Sequence, residues 1–386
     1  MDGPRPATYL LASNACGRTA QAVSDRITRY LEVNGLTPTA ELRVADLIII
    51  DTCGFCQAAE DQSLGLIRHC LQHRHGAASL VVVGCLPGIA PTRLAALDGV
   101  AFLMPAEMGR LDAITGAQIP FATVHADGAV LRAPTRAPSE QKRACHVTVG
   151  SGCLNTCTFC AVKAVWGKLQ SRPLDAIVRE LQAGVAMGHE LIYLAGQDLG
   201  AYGVDLGLSV IDLLAAAFAV AGRFKLILHD FNPQWLILHH DALAELLAAH
   251  SDKVAYLDVP LQAGSDAVLK RMKRPYRAAE VLAVMRSLKA RVPDLILELD
   301  LMMGFPGETE ADFAQTVGFL DEAMTLDGLC VWLSGFSQRS NTAAAQMQDK
   351  IDPDGIMQRF LTLRGMVAAG PARLGTGLVY FAGYRL

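Results

Sequence analysis

Gly152-Cys153-Leu154-Asn155-Thr156-Cys157-Thr158-Phe159-Cys160 carries three cysteines in the spacing C-x₃-C-x₂-C, with an aromatic residue directly before the last. Three thiolates this close can hold three irons of a [4Fe–4S] cube and leave the fourth iron open to another ligand. A zinc knuckle, or three unrelated core cysteines, is the competing reading. Zinc wants a fourth ligand nearby, and this is not a common zinc spacing. Residues 145–149 read as a short apolar strand, so the cysteines fall just past a strand's carboxyl end.

Downstream, strand patterns recur at 191–194, 224–229, 255–259, 295–301 and 328–333. Helical patterns lie between them at 174–187, 210–220, 242–249, 278–290 and 310–324. Six βα units predict a partial (βα)6 barrel over 145–345, with chemistry at the strand carboxyl ends. Upstream, strands at 8–13, 45–50 and 79–83 alternate with helices at 19–34, 57–72 and 92–97. That alternation predicts an α/β, doubly wound parallel-sheet domain over 1–125. Each of its three strands runs into a cysteine: Cys16, Cys53 and Cys85. Cysteines at neighbouring strand ends can converge on one point and supply three ligands to a second cluster; buried packing of three small hydrophobes is the alternative. Residues 126–144, rich in Pro, Ala, Arg and Ser, read as a linker. Residues 346–386 read as a short helix at 355–369 and a tail with one strand at 378–381.

The composition agrees with buried parallel sheets: 52% of the 386 residues are hydrophobic and 19% charged. No apolar run reaches the ~18 residues of a membrane span, and the amino end has no secretory apolar stretch. Ten cysteines without such a leader point to metal or catalysis in a reducing, cytoplasmic setting. A net charge of −4 gives no general support for nucleic-acid binding.

Taken together, the motifs resemble the radical SAM methylthiotransferases over nearly the whole chain. They are Asp51-Thr52-Cys53-Gly54-Phe55, Val83-Gly84-Cys85, the 152–160 stretch, Ser171-Arg172-Pro173, Gly196-Gln197-Asp198 with Tyr202-Gly203, Leu257-Asp258-Val259-Pro260-Leu261-Gln262, Lys270-Arg271-Met272 and Gly304-Phe305-Pro306-Gly307-Glu308-Thr309. The resemblance implies a radical SAM barrel and an enzyme that replaces an unactivated C–H with C–SCH₃. Family members act on a tRNA adenosine or on the β-carbon of an aspartate in a ribosomal protein; 52–55 and 197–205 look closer to the second branch. By position, Cys153, Cys157 and Cys160 would hold the cluster that binds S-adenosylmethionine (SAM), and Phe159 would lie near the adenine. Cys16, Cys53 and Cys85 would hold an auxiliary [4Fe–4S] cluster bearing the sulfur. Gln197, Asp258, Gln262, Gly304, Gly307 and Glu308 would line the SAM site. A flavodoxin or ferredoxin would supply electrons.

Two departures stand out. The family usually has Pro and then Arg-Gly after the third cysteine, whereas here Lys163-Ala164-Val165-Trp166-Gly167 keeps only the glycine. A changed substrate and simple repacking by Trp166 are the two readings. The family normally ends in a small β-barrel, the TRAM domain, and about fifty residues after the sixth barrel strand do not fit several strands of ~5–6 residues. The expectation is therefore a peptide or protein side chain as substrate, with tRNA adenosine, or a different radical chemistry using the second cluster for electron transfer, as alternatives. Cys56 could compete with Cys53 as a ligand, while Cys70, Cys145 and Cys330 read as core. His69, His73 and His75 read as a solvated helix end, and the basic run Lys270, Arg271, Lys273, Arg274 and Arg277 as a solvated helix start.

Overall fold

The first of two units is built on five parallel strands: β1 (Thr8–Ser13), β2 (Thr37–Pro38), β3 (Leu47–Thr52), β4 (Ser79–Gly84) and β5 (Val100–Leu103), in the order β2-β1-β3-β4-β5. The computed structural model describes residues 5–14, 18–124, 144–374, 380–381 and 384–385. The first unit comprises 1–129 with the short segments 161–166 and 338–341; the second comprises 130–160, 167–337 and 342–386. Leu47 to Ile50 are all fully buried, because helices cover both faces of β3. On one face Ile27, Tyr30 and Leu31 of α1 (Arg18–Val33) meet Leu47, Ile49, Val81 and Val83. On the other, Leu64 and Ile67 of α2 (Gln57–His73) meet Ile48, Ile50, Leu80 and Val82, together with α3 (Leu86–Ile89) and α4 (Pro91–Leu94). α5 (Leu111–Thr115) completes the first face and α6 (Lys163–Trp166) the second.

The doubly wound sheet agrees with the sequence reading, with adjustments. β3 runs two residues later than expected, and β2 and β5 are additions: both are short edge strands with little burial to mark them. The helix expected at 92–97 is instead the pair α3 and α4, each with a proline in its first turn, which suits that position.

The second unit holds β6 (Ala144–Thr148), a two-residue antiparallel pair β7 (Gly150–Ser151) and β8 (Gln170–Ser171), then α7 (Leu174–Ala186), β9 (Leu191–Ala195), α8 (Val210–Phe218) and β10 (Lys225–Leu228). It continues with α9 (Pro233–Leu238), α10 (His240–Ala249), β11 (Val254–Gln262), α11 (Asp266–Arg271), α12 (Ala278–Arg291), β12 (Ile296–Met303), α13 (Glu310–Ala323), β13 (Leu329–Gly335), α14 (Pro353–Ala369) and β14 (Arg373–Leu374). The sheet order is β14-β13-β12-β11-β10-β9-β6, parallel throughout. All six expected barrel strands are present. The tail differs from the single expected strand: β14 extends the sheet, and β15 (Tyr380–Phe381) pairs antiparallel with β16 (Tyr384–Arg385). Two-residue strands are too short to leave a period-two signature.

The barrel strands alternate. Val147, Ile192, Leu194, Leu228, Leu257, Val259, Leu297, Leu299 and Val331 join one apolar core with the helices. The residues between them, on the opposite, inner face, are largely polar or aromatic, including His146, Tyr193, Tyr256, Asp258, Glu298, Asp300 and Trp332. Among the described residues no single helix is long and apolar enough to cross a membrane.

Candidate functional site

The signature cysteines lie on one loop that leaves the barrel just after β6 and β7, where the rule for parallel barrels puts chemistry. Cys153, Cys157 and Cys160 are half-buried thiols. Gly152, at φ +76, starts the loop; a Cβ there would stand 2.0 Å from the Lys168 carbonyl oxygen, so only glycine fits. Its N–H donates to Gln197 Oε1 (2.8 Å), so Gln197 anchors the loop. Farther along, Thr158 donates its N–H to the Met272 carbonyl (3.1 Å) and its hydroxyl to that of Arg271 (2.9 Å), while its own carbonyl accepts from Ala344 N (2.8 Å). The loop is held at both ends before any metal binds.

The sulfurs sit among groups suited to thiolates. Asn155 points its backbone N–H (3.3 Å) and its side-chain amide (3.5 Å) at Cys153 Sγ. Burial pushes the Cys153 and Cys157 thiols up, and the Arg274 guanidinium pulls Cys157 back down. Arg274 also stands 5.5 Å over the Phe159 ring, an arrangement the sequence left unforeseen. Of the basic run, Arg271 pairs with Asp312 (3.1 Å) and Arg274 serves this site, while Lys270, Lys273 and Arg277 are exposed. The solvated-start reading therefore holds for only part of it.

Behind the loop lies Asp198, a buried carboxylate that sequence reasoning passed over although it adjoins Gln197. Its Oδ2 accepts from Asn155 Nδ2 (2.8 Å) and Trp235 Nε1 (3.0 Å), and its Oδ1 is buried without a hydrogen bond. Burial raises its pKa to about 6. A ligand group with N–H donors would complete it.

The other candidate SAM-lining residues lie within β11, at its end, and in the loop after β12. Asp258 is fully buried; its Oδ2 accepts from Asp230 N (2.9 Å) and its Oδ1 has no hydrogen bond. Gln262 ends β11 at φ +83, a strained conformation for a non-glycine residue. Gly304 (φ +81) and Gly307 (φ +75) shape the loop after β12. Glu308 closes that loop, accepting from Gly304 N (2.7 Å) and from Arg359 Nη1 (2.5 Å) of α14.

In the first unit, Cys53 and Cys85 directly follow the adjacent strands β3 and β4, where Thr52 pairs with Gly84. Gly84, at φ +99, lets the two chains close: a Cβ there would meet the Thr52 carbonyl oxygen at 2.5 Å. The Phe55 N–H points at Cys53 Sγ (3.3 Å), Ser63 Oγ donates to the Cys53 carbonyl (2.8 Å), and the same hydroxyl bonds Asn14 Oδ1 (2.9 Å) just past β1. Cys53 is disulfide-bonded here and Cys85 is not; as cluster ligands both would be thiolates. Cys16 lies outside the described residues. Cys56 is buried one residue before α2, its thiol pushed up by burial.

Cys70 and Cys145 are core residues. Cys330 is not: it lies half-buried on the inner barrel face in register with Glu298, a placement the alternation of β13 accounts for. His69 and His73 are exposed and stack on each other, centroids 4.4 Å apart, and His75 faces Asp46 at 3.9 Å. Trp166 packs against the apolar core of the first unit, which favours repacking as its role.

Comparison with known proteins agrees with both halves. Residues 147–320 match the Radical SAM superfamily, and residues 11–104 match the family described as uncharacterized protein family UPF0004. The chain is 34% identical over 320 residues to the ribosomal protein uS12 methylthiotransferase RimO of Xanthobacter autotrophicus, covering 78% of this chain and 67% of the relative. It is 30% identical to the tRNA-2-methylthio-N(6)-dimethylallyladenosine synthase of Acidothermus cellulolyticus, covering 94% and 74%. In fold it is similar to the radical S-adenosylmethionine methyltransferase TsrM of Kitasatospora setae, with a TM-score of 0.60 at 15% identity, over 88% of this chain and 77% of that one.

Proposed function

The chain belongs to the radical SAM methylthiotransferases, enzymes that transfer a sulfur-containing group, and from that premise we propose that it puts a methylthio group on an unactivated carbon of a peptide or protein side chain, of the aspartate β-carbon type. Members of this family use SAM and two [4Fe–4S] clusters. When bound, these supply a carbon-centred radical and the methylated sulfur. Cys153, Cys157 and Cys160 hold the SAM cluster, and Cys16, Cys53 and Cys85 the auxiliary one. The donor set fits: three thiols share one prefolded loop, with amide N–H groups and a guanidinium turned toward them. Asp198 would hold an ammonium group of SAM, and Phe159 would border its adenine. A flavodoxin or ferredoxin delivers electrons in a reducing, cytoplasmic setting.

The observation that carries the substrate class is the carboxylate-lined inner face of the barrel. Asp258, Glu298 and Asp300 bring an oxygen each within 4.8 Å of one another, on a chain of net charge −4. An acid-lined face on a net negative chain supports a neutral or cationic peptide over a phosphate-rich substrate. The second reading, tRNA, has in its support the 94% coverage in the match to the tRNA-modifying relative.

The test is anaerobic reconstitution, with iron and sulfide counted in wild type and in the Cys16/Cys53/Cys85→Ala variant. About eight and about four irons respectively support two clusters; four in both would refute sulfur insertion. Reconstituted enzyme with SAM and reductant is then offered bulk tRNA and ribosomal protein separately, and mass spectrometry reads a gain of CH₂S. A gain on tRNA alone would overturn the peptide reading.

A further inference from the structure

Asn155 stands between two groups that carry like charge once Cys153 is a metal-bound thiolate. Cys153 Sγ lies 3.9 Å from Oδ2 of the buried Asp198. Unshielded, a carboxylate at that distance opposes any further negative charge on the sulfur. The Asn155 amide shields it. Its nitrogen has two hydrogens to give: one bond runs to Asp198 Oδ2 (2.8 Å), the other to Cys153 Sγ (3.5 Å). The backbone N–H of the same residue points at that sulfur as well (3.3 Å).

Residues outside the loop fix which way the amide faces. Turned end for end, it would set oxygen against oxygen at Asp198 Oδ2, which also accepts from Trp235 Nε1 (3.0 Å). On the far side, Asn155 Oδ1 accepts from Gln234 Nε2 (3.0 Å). Gln234 and Trp235 lie in the first turn of α9, behind Pro233, and the Asn232 side chain accepts from Gln234 N (3.2 Å). Gly200 leaves room for the indole: a Cβ there would stand 2.6 Å from Trp235 Cβ. The partners of the amide are 43 and 79 positions away in the chain, so its aim belongs to the barrel rather than to the loop alone.

A [4Fe–4S] cluster that is reduced gains one electron, and part of that charge falls on its ligand sulfurs. N–H groups aimed at a ligand sulfur favour the more negative state and raise the potential. We propose that Asn155, oriented by Gln234, is a positioning residue that sets the reduction potential of the SAM cluster through Cys153. The electron comes from an external donor of the flavodoxin or ferredoxin class, which is oxidised by one electron in return. This rests on the assignment of Cys153, Cys157 and Cys160 to the SAM cluster, and adds the device that brings that cluster within reach of its donor.

The test is an anaerobic redox titration of the full, cluster-loaded chain, read by electron paramagnetic resonance. The SAM cluster is identified as the signal that changes when SAM is added; the titrations themselves are run without SAM. The auxiliary cluster in the same sample is the internal reference. Asn155→Ala should make reduction of the SAM cluster ~3- to 10-fold less favourable, a midpoint lower by about 28–59 mV, with the iron content and the auxiliary midpoint unchanged. Gln234→Leu, which leaves the loop sequence intact, should lower the same midpoint by at least ~2-fold, about 18 mV.

A SAM-cluster midpoint that falls by less than ~3-fold, or rises, in iron-replete Asn155→Ala overturns the proposal. So does an equal shift of both clusters. So does the loss of about four irons by both variants, which would make the network a clamp on the loop and nothing more. Where Asn155→Ala alone loses iron, Gln234→Leu decides, and a shift below ~2-fold overturns the proposal. Iron content and the SAM-responsive signal of the parent enzyme are read first, so a failure of the cluster assignment would show separately.

Discussion

Replacing Glu60 by Gln should destabilise the first unit more than removing the arginine it binds. Glu60 lies on α2, which starts four residues after Cys53, and its carboxylate is 5% exposed. Oε2 accepts from Arg339 Nη1 (2.6 Å) and Oε1 from Arg93 Nη1 (2.5 Å). Arg339 is 3% exposed, belongs to the 338–341 segment of this unit, and also donates to Gln57 Oε1 (2.9 Å). Glu60→Gln therefore removes the buried carboxylate that Arg339 and Arg93 share, at a cost of about 3–5 kcal/mol. Arg339→Met leaves Glu60 still paired with Arg93, which is part-exposed and also holds Asp61 (2.7 Å), so about 2 kcal/mol is expected. In the double variant the Arg339 guanidinium is gone too, and its total should fall at least ~2 kcal/mol short of the sum of the two singles. A chain with two units need not unfold in one step, so the readout is native-state hydrogen exchange of the α2 amides, Gln57 to His73, under anaerobic conditions. A Glu60→Gln loss within about 1 kcal/mol of wild type, or strict additivity, would refute the shared-carboxylate argument.

Gly152→Ala should cost about 1–2 kcal/mol for its left-handed φ alone. Its Cβ would also lie 2.0 Å from the Lys168 carbonyl, so the cysteine loop must shift; the variant should hold about four fewer irons, counted after reconstitution. Cys56→Ala should keep the full iron content while Cys53→Ala loses the auxiliary cluster; equal losses would make Cys56 a ligand. Burial raises the Asp312 carboxyl, but bonds from Ser265 (2.6 Å), Thr309 N–H (3.0 Å), the Thr309 hydroxyl (2.8 Å) and Arg271 (3.1 Å) outweigh it and bring the pKa to about 2. Because the folded value lies below the unfolded one, the stabilisation is complete above about pH 4 and lost as pH falls toward 2. Asp312→Asn should therefore lower stability by about 2 kcal/mol from pH 5 to 7, and the gap in thermal midpoint should narrow below pH 4.

Much of this was legible because the strongest signals are local. The cysteine spacing, the apolar runs of β3 and β4 and the long helices α1, α2 and α13 are each written within a few residues. β2 and β5 were not, since two to four residues at a sheet edge carry no period. Arg274 was read as part of a solvated run because its ring partner, Phe159, lies more than a hundred residues away; only the fold brings them together. Asp198 adjoined a residue already singled out, but its burial and its bond to Trp235 are tertiary facts. The Glu-Leu-Asp-Leu run at 298–301 was visible, and its alternation could have been read as a polar inner face.

That alternation bears most directly on function, because the chain supplies its own control. Both units are built on parallel sheets, which are normally apolar on both faces. The first obeys: Ile48 and Ile50 face one set of helices, Leu47 and Ile49 the other, and all are fully buried. The second obeys only toward its helices, and on the inner face replaces hydrophobic residues with His146, Asp258 and Glu298, each at most 5% exposed. Burying such groups is costly unless they are paired, and apolar residues of similar volume would serve stability as well or better. Propensity does not explain the substitution, since aspartate and glutamate are poor strand formers. The polarity is confined to the face that a barrel reserves for its ligands, which is where a departure from the packing rule signals function rather than fold.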